Sequence, residues 1–311
     1  MKPVRTNFEN SKDQLRLYYS KSLFPVLKGL EKKRKKLLLL LLLSGLMLIF
    51  SLIWWLANQQ FLLALLIFVF GLVPSFLFSS KIREFKASFK HIVIHKLMEF
   101  FELQNLLHSI QYEPYGKISK VIFLKSNFVM EEIVEYNSED YFKGRTHDTA
   151  FEICELKVKT KSKVTGKIKI AFRGHFLKFN PNRNHEGKIW ILPKTEKSNL
   201  TNSIKEMYRL GAKPIEDTVL SRRYLIYHTP EFILNHFLTD DLKKVLEEWA
   251  NQNRTFFIYS EGPDIHVAIR NNMDILEPNI FTSNKRFDKI LNLHQELSNM
   301  FEIIESFEKG V

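Results

Sequence analysis

A single cysteine, Cys154, in 311 residues leaves no partner for an internal disulfide and no material for a multi-cysteine zinc site. The chain therefore fits a reducing compartment, with Cys154 read as a packing residue. There is no GxxxxGK[ST] run to cradle phosphates, no GxGxxG after a strand and no GxSxG elbow, so the corresponding enzyme classes lose support. Two stretches, Leu37–Ala57 and Phe61–Ser79, hold no charged residue at all. At 1.5 Å per residue they reach about 31 Å and about 28 Å as helices, the thickness of bilayer hydrocarbon. Neither leaves one polar stripe for water, which argues against a soluble core helix.

What is present brackets those runs. The formal charge is +12, and residues 1–110 carry 16 Lys/Arg against 6 Asp/Glu, while 111–311 carry 30 against 28. An excess concentrated beside apolar runs is a membrane-orientation signal and an attraction to anionic head groups, and it disfavours nucleic acid as a partner. Lys32, Lys33, Arg34, Lys35 and Lys36 precede the first run, and Lys81, Arg83, Lys86 and Lys90 follow the second. These nine are the candidate lipid head-group contacts. The linker Asn58-Gln59-Gln60 has no charge, so the runs are expected to form an antiparallel transmembrane hairpin with both chain ends cytoplasmic in the cell (inner) membrane. Trp54 and Trp55 suit the outer interface. A polar stretch of 36 residues before the first run argues against a cleaved signal peptide. The only polar side chains in the spans are the hydroxyls of Ser44, Ser51, Ser75 and Ser79, which disfavours a pump or transporter. Gly71 and Ser75 would permit close helix approach, and Pro74 is expected to kink the second helix.

The expected organisation is α+β: a cytoplasmic amphipathic N-terminal segment (1–36, interrupted at Pro25), a hairpin (37–79), a membrane-exit helix (80–110) and a cytoplasmic sheet-containing domain with flanking helices (111–311). Val121–Leu124, Phe151–Val158, Lys167–Phe179, Lys188–Leu192 and Arg223–Tyr227 read as strands. Thr255–Ser260 and Ile265–Ile269 read as a hairpin. Asn199–Arg209, a segment opened by Thr229 as N-cap with Pro230 at N1, Asp240–Asn251 and the Ile290-Leu293-Leu297-Met300-Ile304-Phe307 seam read as helices. The last is expected to pack on its own domain rather than in a coiled coil.

Chemistry is thinly signalled. His91 and His95 stand four apart on one helix face, but Ile92 occupies the place where a zincin motif needs glutamate. Glu131, Glu132, Glu135, Glu139 and Asp140 read as a solvated face, since no glycine turn falls among them. No metal and no cofactor is expected.

Several short segments, taken in order and spacing, resemble a bacterial membrane-protein family known as domain of unknown function 3137. They are Asp140-Tyr141-Phe142-Lys143-Gly144, Phe172-Arg173-Gly174-His175-Phe176, Phe179-Asn180, Gly187-Lys188-Ile189-Trp190-Ile191-Leu192-Pro193, Arg223-Tyr224-Leu225, Thr229-Pro230-Glu231-Phe232 and Leu276-Glu277-Pro278. Arg222 and Leu276 depart from the family pattern, which has a small residue and an aromatic there. The resemblance implies a hairpin anchor and a cytoplasmic α+β domain, and carries no activity, cofactor or catalytic residue. The functional expectation is a membrane-anchored binding or scaffold module facing anionic lipid, with a protein partner and homo-oligomer assembly left open. Two alternatives remain: a membrane-surface enzyme using His175, His228 or Glu277, and a membrane-perturbing stress or defence effector.

Overall fold

A computed structural model of the chain describes residues 12–129, 131–162, 165–181, 185–196, 201–216, 219–271 and 276–308. The side chains of residues 64, 71, 73–77, 201 and 202 also lie outside the described set, and the expectations for Gly71, Pro74 and Ser75 fall there.

The chain opens with helix α1, Lys12–Asn58. Its Tyr19–Leu23 turn is π-helical, directly before Pro25. Proline has no N–H and crowds the carbonyl four residues back, and the widened turn accommodates both defects. The expected interruption is therefore a local swelling of a continuous helix. Gln59 ends α1 in the left-handed region (φ 54°), donating its N–H to the Trp55 carbonyl at 2.9 Å. Helix α2, Phe61–Leu103, starts two residues later.

Beyond α2 lie β1 (His108–Glu113), α3 (Lys120–Lys125), β2 (Glu132–Thr146), β3 (Thr149–Lys161), β4 (Ile168–Asn180), β5 (His185–Pro193), α4 (Thr201–Arg209), β6 (Lys213–Pro214), β7 (Tyr224–His228), α5 (Leu234–Phe237), α6 (Asp240–Asn251), β8 (Phe256–Gly262), β9 (Asp264–Arg270) and α7 (Phe287–Glu308). The strands form one antiparallel sheet in the order β1-β2-β3-β4-β9-β8-β5-β7-β6. The fold is thus α+β, a long apolar N-terminal helix followed by a large antiparallel sheet. The described residues divide into two compact units, 12–100 with 276–295 and 101–271 with 296–308.

Side chains alternate across the sheet because successive Cβ atoms point to opposite faces. One face carries Cys154, Leu156, Phe172, Phe176, Trp190, Phe257 and Tyr259, covered by Phe123 of α3 and Met207 of α4. The other carries Phe151, Ile153, Phe179 and Phe256. It is covered by Trp249 of α6, 5.8 Å from the Phe256 ring, and by Phe301 and Phe307 of α7, 5.6 Å and 5.3 Å from Phe151 and Phe179. Every seam residue of α7 is buried within the chain, as expected for a helix packed on its own molecule. The β8–β9 hairpin closes through Gly262 and Pro263, with Glu261 opposite Asp264.

Several expectations are corrected. Val121–Leu124, read as a strand, lies in helix α3: the Ser119 hydroxyl accepts the Ile122 N–H at 3.4 Å as N-cap, with Phe123 buried and Ile122 half-buried against the core. The membrane-exit helix ends at Leu103 rather than continuing to 110, because Asn105 enters the left-handed region (φ 55°) and β1 follows. The acidic cluster lies in and just before strand β2: Glu132 is exposed as a solvated face requires, Glu135 pairs with Lys159 at 2.7 Å and Glu131 with Lys169 at 3.1 Å, but Asp140 is buried and accepts the Tyr112 hydroxyl. Thr229 caps no helix. Its hydroxyl accepts the Lys188 N–H at 2.9 Å across the sheet, and the short α5 begins only at Leu234.

Gly174 sits at φ 149°, and a Cβ there would lie 2.0 Å from the Ile269 carbonyl oxygen. The β4–β9 pairing tolerates no side chain at this point. Gly174→Ala is expected to destabilise the chain by roughly 3 kcal/mol or more. By contrast Gly29→Ala, in α1 with open space around it, is expected to be neutral or to stabilise by up to ~1 kcal/mol. Denaturant unfolding of the detergent-solubilised chain reads both, and equal effects would remove the close-approach argument.

Candidate membrane-interface site

Buried positions on α1 recur at three-four spacing: Leu23, Leu27, Leu30, Arg34, Leu37, Ser44 and Ser51. That is a helical stripe facing a neighbour. The neighbour is α2. Tyr18 and Phe100, equally distant in sequence from Gln59, have ring centroids 5.2 Å apart, and the Tyr18 hydroxyl donates to Glu99 at 3.1 Å. The two helices therefore run antiparallel back to the start of α1. Opposite the stripe, α1 exposes Leu39, Leu43, Leu46, Ile49, Phe50, Ile53 and Leu56, and the first turns of α2 expose Phe61, Leu62, Leu66, Val69 and Phe70. These residues form an outward apolar belt. Among the described residues one helix, α1, is long and apolar enough to cross a membrane. The second expected span, 61–79, takes in the residues whose side chains are outside the described set.

Where the belt ends, the stripe changes from leucine to charge. Arg34 is 6% exposed and Glu31 7%. The Arg34 guanidinium grips the Glu31 carboxylate through Nε at 3.0 Å and Nη2 at 2.7 Å, while its Nη1 donates to the Ile280 carbonyl at 2.7 Å. On α2, Lys90 Nζ lies 2.5 Å from Glu277 Oε1, and Lys86 Nζ lies 2.7 Å from Oε2. The segment around Glu277 is thereby fastened to both helices. It is also rigid in itself. Asn279 Oδ1 accepts the N–H groups of Phe281 at 2.8 Å and Thr282 at 3.1 Å, and Asn284 bonds the Asn279 N–H and carbonyl at 3.0 Å and 2.7 Å.

The electrostatics follow from these contacts. Burial alone would push the Glu277 carboxyl up; hydrogen bonds from Lys86 and Lys90 outweigh it and hold it below the ordinary carboxylate range. Glu31 is held below that range chiefly by its hydrogen bond to Arg34, against the opposing effect of burial.

The nine expected head-group contacts thus divide. Lys32, Lys33, Lys35, Lys36, Lys81 and Arg83 are exposed. Arg34 and Lys90 are turned inward, and Lys86 is shared with Glu277. Their sequence spacing places all nine beside the belt, but only burial against the 276–284 segment separates the inward pair from the rest. Sequence reasoning did not find the Glu31–Arg34 grip or the asparagine-stapled turn. The one sequence signal for the latter was asparagine at 279 and 284 around an apolar pair.

The other candidate residues stay apart. His175 is 3% exposed, and burial pushes its pKa down to about 4, which leaves it neutral. His228 lies on β7, four strands from His175 on β4, or about 19 Å at the usual strand spacing. Its Nδ1 lies 2.9 Å from the Thr229 carbonyl oxygen. Glu277 belongs to the other unit. His91 and His95 are exposed and parallel, 5.9 Å apart, and no metal-binding group of three His, Cys, Asp or Glu occurs among the described residues. Burial pushes the Cys154 thiol up to about 12, where it is unreactive. An open depression of about 260 Å³ beside β6 is lined by Lys194, Glu216, Ser221, Tyr224 and Tyr227 among others.

The fold and anchor define a class, an α+β sheet domain attached to a long apolar helix. Residues 170–309 match the family model described as "Protein of unknown function (DUF3137)", the family whose motifs the sequence resembles. No curated protein matches the chain. Among solved structures, the crystal structure of the mycobacterial trehalose monomycolate transport factor A, TtfA, is similar at 7% identity and a TM-score of 0.30, over 64% of this chain and 88% of that one.

Breaking the Glu277 clasp strands the buried Lys90 ammonium. Glu277→Gln is expected to cost roughly 2–4 kcal/mol near neutral pH. Because the folded carboxyl titrates below its unfolded value, that stabilisation is present above the ordinary carboxylate range and is lost as pH falls through the folded pKa. Unfolding curves of the two chains in detergent should therefore diverge near neutrality and converge in acid. A gap independent of pH would contradict the clasp.

Proposed function

We propose that the protein is a membrane-anchored binding or scaffold module. In this reading Leu37–Ala57 and Phe61–Ser79 cross the bilayer as a hairpin, and both basic ends and the sheet domain lie on the cytoplasmic side of the cell membrane. The observation that carries it is the outward belt of α1 and early α2. Leucine, isoleucine and phenylalanine side chains there lie 42–80% exposed, and each would forgo ~1.5–3 kcal/mol of burial if left in water. Hydrocarbon removes that cost. The inner stripe supports the same reading, since the buried Arg34 and its glutamate fall just outside the belt, and the hydroxyls of Ser44 and Ser51 lie on the stripe, with Ser51 Oγ donating to the Leu48 carbonyl at 2.8 Å.

Exposed Lys32, Lys33, Lys35, Lys36, Lys81 and Arg83 at the belt's edge support contact with anionic head groups, at about 1 kcal/mol per charge near the surface. They also support the orientation, because lysine and arginine beside a span are retained on the cytoplasmic face. The binding or scaffold role is supported by how the domain uses its polar groups: Glu131, Glu135, Asp140, Thr229 and Arg223 all serve contacts within the fold.

With the full chain expressed in bacterial membranes, carbonate washing is expected to leave it in the pellet. Protease added to intact spheroplasts is expected to spare the C-terminal portion until the membrane is opened. Release by carbonate would end the anchoring reading, and digestion in intact spheroplasts would end the cytoplasmic placement.

A further inference from the structure

Phe281 is the most exposed aromatic among the large apolar side chains outside the hairpin, at 73%. A free phenylalanine on a mobile tail would mean little, but this one is held at a defined height. Its neighbour Ile280 is buried, and the Ile280 carbonyl accepts the Arg34 guanidinium. Arg34 lies three residues before Leu37, the first residue of the uncharged run, a rise of about 4.5 Å along the helix. The Asn279 side chain accepts the N–H of Phe281 itself, so the backbone at the tip is fixed and the ring is directed away from the packed side of the turn. Glu277, clasped by Lys86 and Lys90, and Asn284, bonded to both backbone groups of Asn279, secure the two sides.

Cations lie in and beside the turn. Lys285 is exposed, and the ammonium of Lys289 donates to the Thr282 hydroxyl at 2.8 Å. On α1, Lys35 and Lys36 flank the turn of helix that carries Arg34. An exposed aromatic ring with lysines in and just after its own turn, close to an apolar belt, has the chemistry of an interfacial anchor: the ring enters the boundary between head groups and acyl chains, and the ammonium groups meet lipid phosphate.

We propose that the Asn279–Lys285 turn is a second membrane contact, with Phe281 inserted at head-group level in an anionic bilayer. It rests on the anchored reading above, and adds that the chain touches lipid at a point about 200 residues after the hairpin. The 276–295 segment would then be tied both to the helices and to the bilayer they occupy.

The test uses the full chain with Phe281→Cys labelled by an environment-sensitive fluorophore; the buried native thiol Cys154 does not compete. The labelled chain is reconstituted in vesicles of equal parts phosphatidylcholine and phosphatidylglycerol. Lipid spin-labelled near the head group should quench most of the fluorescence at position 281 and little at Glu248→Cys, an exposed site on α6. Leu46→Cys, in the belt, should be quenched by lipid labelled near the end of the acyl chain. Quenching at 46 without quenching at 281 overturns the second contact and leaves the anchor standing. Failure at both positions overturns both. Equal quenching at 248 and 281 removes any special role for the turn.

Discussion

Two helices of 47 and 43 residues, joined by a two-residue turn, have to find cover for two different surfaces at once. Between them runs a stripe at three-four spacing, which the pair buries by packing antiparallel. Outside runs the apolar belt, which nothing else in the first unit covers among the described residues. A soluble protein rarely leaves a contiguous apolar surface of that extent in water. An outward apolar belt and an inward leucine stripe are the two surfaces that this helix pair presents, and its buried charge lies beyond the end of the belt.

Beyond the belt the two helices carry buried charge, Arg34 on α1 and Lys90 on α2. Arg34 occupies a seam position that leucine fills one turn on either side, and a buried guanidinium left alone would be severely penalised. It is satisfied by Glu31 within α1 and by the Ile280 carbonyl, a group 246 residues away. Lys90 poses the same problem on α2 and is met by Glu277. Buried ion pairs add little net stability compared with apolar packing, but removing one partner is expensive. Their consequence here is register. A slip of the 276–284 segment by one residue would strand two cations together, so the segment has one seat on the hairpin.

How much of this is legible in the sequence depends on what kind of force fixes each part. The apolar runs were plain in the sequence as composition, and among the described residues α1 is the one helix long and apolar enough to cross a membrane. The strands around Phe151–Val158, Lys167–Phe179 and Lys188–Leu192 were also legible, since short runs rich in aromatic and β-branched residues between turn residues suit a sheet covered on both faces. Strand β2 was not, because its acids looked like a solvated face; their partners, Lys159 and Lys169, lie on strands whose register no local pattern reveals. Val121–Leu124 misled for the opposite reason. Its β-branched composition suits a strand, but a serine cap and one inward phenylalanine were enough to make a single helical segment. Arg34 and Lys90 could not be told from their neighbours, since burial against a distant turn is a tertiary fact.

The family-like segments share one physical property that bears on function. Gly187, at φ 79°, leaves room for Thr229, whose hydroxyl bonds the next residue, so two of the segments meet at one point. Gly174 admits the β9 backbone against β4. Arg223 reaches Asn253 at 3.1 Å beyond the end of α6, and Tyr224 donates to the Arg254 carbonyl at 2.8 Å. Glu277 clasps two lysines of α2. The contacts of these residues fasten one element to another, with hydrogen-bonding capacity directed into the fold. What the contacts of Gly174, Gly187, Thr229 and Glu277 fix is how the sheet is assembled and how one turn is seated on α2.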